Sequence, residues 1–438
     1  MEGGGALDRA LNPQLLADAL GTHPRLPSPA EAGSLLAQAE IDLFFGTQTE
    51  HARLLVAGWY LHAVAGSRPG AFPPLRRQQA GRVAAHVFDV FLQGAGVEPS
   101  EDERLRYTVA AQHGYLVGDL APNAIALASQ LGAATPSIGD HPGRASMHAA
   151  ALLLGLDRRR LREAIDGWSV EVAGLSTRWE DVDASPFGPA RATIAGIGHL
   201  HAYLLAGDAA ALDLAIGEFQ RALQATGGAA DTDSRWVAAL LSDLGGDLAG
   251  SSVWAVLPPG RSATARALVL SDPPVLVFWP PQASFLRSAP SPLDPATRRQ
   301  VLAFPTSAGK TLVAQVMILS HLQTSDGDVC VVAPTHSLCR EIQDALAPRL
   351  GLLRTSVVDA GPVGSDRGIP ATGRVVVMTP ERFAGLLRTS VEQVLERFSL
   401  FVIDSCRRRD YADRVWRPRR SMASSLGYSV GRWQAGSA

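Results

Sequence analysis

The chain has 438 residues, 46% hydrophobic and 19% charged, with a formal net charge of -2, which suits two to four ordinary globular domains and leaves no overall pull toward nucleic acid or acidic membrane, so any such surface must be local. Its three cysteines, Cys330, Cys339 and Cys406, form no Cys-x-x-Cys pair and have no histidine at zinc-ligand spacing, which excludes a disulfide framework and fits a reducing cytosol. No basic leader with an apolar core opens the chain and no run approaches about eighteen uninterrupted apolar residues, so a soluble, cytoplasmic protein without membrane contact is expected.

From residue 12 to about 250 apolar residues recur at three- and four-residue spacings between polar or glycine-containing breaks, which predicts an all-α domain over 1–257. Helices are expected near 30–45, 49–64, 78–93, 101–115, 146–154, 158–172, 190–206, 208–226 and 233–248. Ser100-Glu-Asp-Glu103 has the form of a capping box, and Asp157 and Asp208 can cap the helices that follow them. The pair 190–206 and 208–226 has a faint tetratricopeptide look, but no 34-residue repeat runs through the rest. An irregular bundle and a degenerate solenoid both remain open. Trp236 and Trp254 read as core anchors, and His199 and His201, two residues apart, do not share a helix face as a metal pair would. Asp157-Arg-Arg-Arg-Leu-Arg162 reads as a solvated helix face.

Nine prolines fall between Pro258 and Pro295, a density that reads as a junction over 258–298 without regular helix or central strand. Beyond it short apolar runs alternate with amphipathic helices: 301–304, then 310–323; 329–333, then 336–347; 356–358; 374–378, then 380–397; 400–403. Such alternation implies a parallel sheet covered by helices, a second domain over 299–404. The fold class is therefore α + α/β.

Within that domain Phe304-Pro-Thr-Ser-Ala-Gly-Lys-Thr311 joins an expected strand to an expected helix, the arrangement in which backbone N–H groups and a helix N-terminus hold phosphates. Gly309 allows close backbone approach. Lys310 would set a compact ammonium against the phosphate oxygens, and Thr311 would offer a hydroxyl to Mg²⁺. Of the 40 Lys and Arg residues, Lys310 is the single lysine; a coding bias toward arginine is the plain explanation of the rest, and phosphate binding explains the exception. Phe304 stands where the strict Gly-x-x-x-x-Gly-Lys-Ser/Thr pattern has its first glycine.

The string Pro305–Thr311 resembles motif I of superfamily 2 helicases of the DEAD/DEAH-box group, where that departure is normal. The resemblance continues in order. Phe278-Trp-Pro-Pro-Gln282 is similar to the Q motif, Ala333-Pro-Thr-His-Ser-Leu338 to motif Ia, Met378-Thr-Pro-Glu-Arg-Phe383 to motif Ib, and Leu400-Phe-Val-Ile-Asp404 to a Walker B segment. The resemblance implies the first RecA-like lobe of such a helicase, with ATP and Mg²⁺ as cofactors. It implies ATP held by Gln282, Thr306, Ser307, Ala308, Gly309, Lys310 and Thr311, metal by Thr311 and Asp404, and one nucleic-acid strand, DNA or RNA without sequence choice, by Thr335, Arg340, Thr379 and Arg382. The ancestral role would be ATP-dependent translocation or unwinding.

The family continues after this aspartate with Glu-x-His or Glu-x-Asp. Here Ser405, Cys406 and Arg407 follow, and a serine hydroxyl cannot act as the base that deprotonates water near neutral pH. Residues 405–438 carry eight arginines and two aspartates without apolar periodicity and read as a disordered tail. Two readings follow: a reading frame interrupted after codon 404, or a short protein that keeps nucleotide binding and uses its basic tail. Hydrolysis is expected to be lost in either. An alternative is a non-enzymatic interaction protein whose helical domain contacts a protein partner and whose lobe is vestigial or sensory.

Overall fold

The computed structural model describes residues 29–45, 52–67, 71–94, 98–176, 185–272, 274–294, 297, 300–302, 309–359, 374–389 and 391–404. The chain divides into two compact units, Met1–Pro258 with Pro273–Arg287, and Pro259–Asp272 with Ser288–Ala438.

The first unit is helical: Pro29–Phe45 (α1), Ala52–Ala65 (α2), Pro74–Leu92 (α3), Glu101–Val117 (α4), Ala121–Ala128 (α5), Pro142–Leu154 (α6), Arg158–Ser176 (α7), Gly188–Ala206 (α8), Ala209–Gln224 (α9), Thr232–Ser251 (α10) and Val253–Val256 (α11). Local chemistry starts several of them. Ser100 and Glu103 form the capping box of α4, the Ser100 N–H donating to Glu103 at 2.9 Å and the Glu103 N–H to Ser100 Oγ at 3.4 Å. Asp208 accepts from the Ala210 N–H at 3.0 Å, and Asp157 from the Arg160 N–H at 3.1 Å.

Packing closes the unit. Leu54, Leu61, Phe88 and Tyr115 are fully buried in one cluster, with Trp59 and Trp236 packed against it. α3 and α4 cross closely where neither carries a side chain: a Cβ on Gly114 would lie 2.7 Å from the Gly81 carbonyl oxygen, and one on Gly81 2.8 Å from that of Gly114. The same cluster encloses His62 and His113, whose Nε2 and Nδ1 atoms lie 3.0 Å apart. Trp254 donates its indole N–H to the Leu204 carbonyl at 3.0 Å.

The proline-dense stretch contains two helices, contrary to its reading as irregular chain. Ser262–Leu270 (α12) fits between the proline pairs, and Pro280–Leu286 (α13) opens on prolines, the one helical position where a missing N–H is harmless. α13 joins the first unit, where Val253 and Phe278 donate backbone N–H groups to Leu276 and Ser251 at 3.0 and 2.8 Å. α12 belongs to the second unit.

The second unit continues with Lys310–Thr324 (α14), Asp328–Val332 (β1), His336–Leu352 (α15), Val357–Asp359 (β2), Val375–Met378 (β3), Pro380–Thr389 (α16), Val391–Arg397 (α17) and Phe398–Ile403 (β4). Among the described residues the strands form one parallel sheet in the order β2-β3-β1-β4. Every β3 residue is buried and all of β1 after Asp328 is too, as a sheet covered on both faces requires. Val301 and Leu302, expected to begin a strand, lie outside any strand, and the rest of that expected strand falls outside the described residues. The single helix expected over 380–397 is two helices; at its break the Thr389 hydroxyl donates back to the Gly385 carbonyl at 3.1 Å, a bond that competes with helix continuation. α15 runs past Pro348 because Arg349 and Leu350 beyond it are buried, at 7% and 0% exposure.

Asp328 ties three strand beginnings together. Its carboxylate pairs with Arg397 at 2.9 Å and Arg374 at 3.5 Å, and Arg374 also donates to the Ser325 and Gly327 carbonyls at 2.7 and 2.9 Å. Asp328→Ala is expected to lower the unfolding free energy of this unit by about 1–3 kcal/mol, below the fully buried case because the pair is partly hydrated. Urea titration followed by helical circular dichroism measures it; an unchanged midpoint would show the cluster to be a solvated surface feature.

Candidate functional site

A parallel sheet sends all its strand ends to one edge, and the pairing register fixes which residues arrive there together. Val332 pairs with Met378 on one side and Ile403 on the other. The segments that follow these residues therefore leave the sheet side by side at its carboxyl edge, where open α/β sheets bind ligands. They carry Thr335, Thr379 and Asp404. Two hydrogen bonds extend the alignment: the Ala333 N–H donates to the Met378 carbonyl at 3.0 Å, and the Asp404 N–H to the Val332 carbonyl at 2.9 Å. The Asp404 carboxylate is exposed at this edge.

α14 reaches the same edge from the opposite direction. It packs on β1 and β4 and passes the chain to β1 through residues 325–327, so it runs antiparallel to the strands and its N-terminus lies at their carboxyl ends. Gly309 caps it with φ 73° and ψ 38°, in the left-handed region, which glycine adopts without the steric penalty of a Cβ. Lys310 and Thr311 are its first two residues; Lys310 is half-buried and Thr311 exposed. Among the described residues no carboxylate pairs with Lys310. Thr306, Ser307 and Ala308 of the expected phosphate loop, and Ser405 after Asp404, lie outside the described residues.

Thr335 caps α15, its hydroxyl accepting from the Leu338 N–H at 3.2 Å, and is exposed; Arg340 is exposed one turn further on. The Thr379 carbonyl accepts from the Phe383 N–H at 3.0 Å and its hydroxyl from the Arg382 N–H at 3.5 Å. Thr379 is only 4% exposed, so its side chain serves the start of α16 and leaves the half-buried Arg382 as the more accessible group there. Gln282 lies in the first unit: at 2% exposure its Oε1 accepts from the Trp279 N–H at 3.0 Å, capping α13.

A buried cation behind α14 escaped sequence reasoning. Arg349 donates to Gln315 on α14 and, at 3.4 Å, to Ser271 after α12; burial holds its pKa below the usual guanidinium value. It joins the helix that carries Lys310 to α12 and α15. One arginine at the end of an amphipathic helix looks in sequence like an ordinary C-terminal cation, so no local signal marks it. Burial likewise pushes the Cys330 thiol up to about 12, making it an inert part of β1.

Comparison with known proteins places this geometry. Residues 280–417 match the family model described as DEAD/DEAH box helicase, an interval that begins in α13 and runs on past Asp404 into the arginine-rich segment. Over 164 residues the chain is 30% identical to Hachiman protein HamB of Bacillus cereus, covering 35% of this chain and 14% of that protein. The chain thus matches only about a seventh of that relative's length. The protein carries a helicase-like RecA lobe with an α + α/β fold. No helix of the described residues is long and apolar enough to cross a membrane.

Proposed function

We propose that the lobe binds ATP with Mg²⁺ at the N-terminus of α14 and grips one nucleic-acid strand along the carboxyl ends of β1 and β3. The register that aligns Val332, Met378 and Ile403 carries this reading, because it delivers both sets of functional groups to one edge. Gly309 and Lys310, with Thr306, Ser307 and Ala308 before them, hold the phosphates. Thr311 and Asp404 supply the hard oxygen donors that Mg²⁺ prefers. Thr335, Arg340, Thr379 and Arg382 hold phosphodiester groups, contacts that give affinity without base choice. Bound metal would neutralise phosphate charge; this chain's residues position and desolvate the nucleotide. Cys330 and Cys339, both buried and neither in a disulfide, suit a reducing cytoplasm.

Ser405 occupies the position at which the family places its glutamate base, so turnover is expected at background level with or without nucleic acid. Fluorescence anisotropy with labelled homopolymer strands tests the grip. Arg340→Ala should weaken binding to every strand by about 3–10-fold and reduce the slope of log affinity against log salt by about one. Equal affinities for wild type and variant, or a loss confined to one base composition, would count against this surface. Nucleic-acid-stimulated ATP hydrolysis by the wild type would overturn the assignment of Ser405.

A further inference from the structure

The helical unit contains a recess of about 580 Å³ between α7 and α8, within the range of small-molecule sites. Its floor is apolar: Ile165 and Trp168 from α7, Ile194 and Leu205 from α8. The space exists because α8 presents Ala195, Gly198 and Ala202 there. Among the described residues a Cβ on Gly198 would meet only Ile165, at 3.6 Å, an ordinary van der Waals contact. The Trp168 indole N–H donates to the Pro136 carbonyl at 2.7 Å, and its ring is buried beside His148 at the wall of the recess.

One polar side chain lies at the wall of this apolar space. His201 lines it and is 7% exposed, and its Nε2 is buried without a hydrogen-bond partner among the described residues. Leaving such a nitrogen unsatisfied is costly unless something else meets it. Burial, with Arg158 and Arg162 nearby, pushes His201 down to about 4, so the ring is neutral at pH 7 and Nε2 can make one hydrogen bond. Arg162 stands at the rim with its side chain 79% exposed, 3.9 Å from Asp166. Among the described residues no carboxylate lines the recess.

We propose that this recess binds a small organic anion whose apolar body lies on Ile165 and Leu205, with its acidic group toward Arg162. The apolar floor selects the body, and Arg162 and Arg191, the arginines that line the recess, select the charge. All the residues lining the recess belong to the helical unit.

Titration of the full chain with 8-anilinonaphthalene-1-sulfonate, and with its uncharged relative N-phenyl-1-naphthylamine, tests both parts. Saturable binding of one sulfonate is expected, weakened about tenfold or more by Ala195→Trp, which fills the recess. Arg162→Glu should weaken the sulfonate about fivefold while changing the uncharged probe less than about twofold. Unchanged sulfonate binding in Ala195→Trp, or equal effects of Arg162→Glu on both probes, would overturn the proposal. Helical circular dichroism and melting temperature report folding; should Ala195→Trp fail to fold, Gly198→Leu fills the same space and carries the same expectation.

Discussion

Acidification from pH 7 to pH 5 is expected to remove roughly 5 kcal/mol of stability from the helical unit, enough to consume much of the stability of a typical domain. Burial pushes His62, His148 and His201 down from 6.5 to about 4, and His113, beside His62, is lowered as well. Above about 6.5 these rings are neutral in the folded and unfolded chain alike. Between 6.5 and about 4 the unfolded chain binds protons that the folded chain excludes, so stability falls as pH falls through that window. Each histidine contributes roughly 2 kcal/mol of this at pH 5. Urea midpoints at pH 7, 6 and 5 measure the effect. A flat midpoint would show that water reaches these rings, and His148→Gln should remove about 2 kcal/mol of the loss between pH 7 and pH 5.

The parts of this fold that were legible in sequence are those set by neighbours a few residues apart. The capping box of Ser100 and Glu103, the Asp208 cap and the Val-rich runs of β1 and β3 each state their structure locally. The candidate site was legible for the same reason, since Lys310 opens a helix and Thr335 and Asp404 follow strand ends. Three features were not. The return of residues 273–287 to the helical unit rests on bonds from Leu276 and Phe278 to residues of the α10–α11 corner, a pairing that no periodicity announces. The recess beside α8 depends on Ala195, Gly198 and Ala202 meeting a gap in another element, and in sequence they look like small core residues. Gln282 carried a motif reading, whereas its carboxamide has a capping bond to Trp279 that no periodicity announces.

Lys310→Ala is expected to weaken ATP·Mg²⁺ binding by about a hundredfold or more, roughly 3 kcal/mol, because a half-buried ammonium beside phosphate acts in a medium less screening than water. Lys310→Arg should recover little of it: the planar guanidinium is too wide for a cradle shaped by Gly309 in its left-handed turn. The sequence makes a cleaner test possible. Because Lys310 is the single lysine of the chain, an amine-selective acylating reagent has one side-chain target, and mass spectrometry reads its modification without competing sites other than the terminal amine. ATP with Mg²⁺ should protect Lys310 from acylation, while AMP, which lacks the β- and γ-phosphates, should not. Protection by both nucleotides would place the ammonium elsewhere than against those phosphates, and protection by neither would remove the lobe from nucleotide binding. Arg349 supplies a control from the other end of the same helix assembly. Arg349→Met should loosen α14 against α15 and lower the melting temperature, yet leave the difference between ATP and AMP protection intact, since it supports the helix without reaching the phosphates.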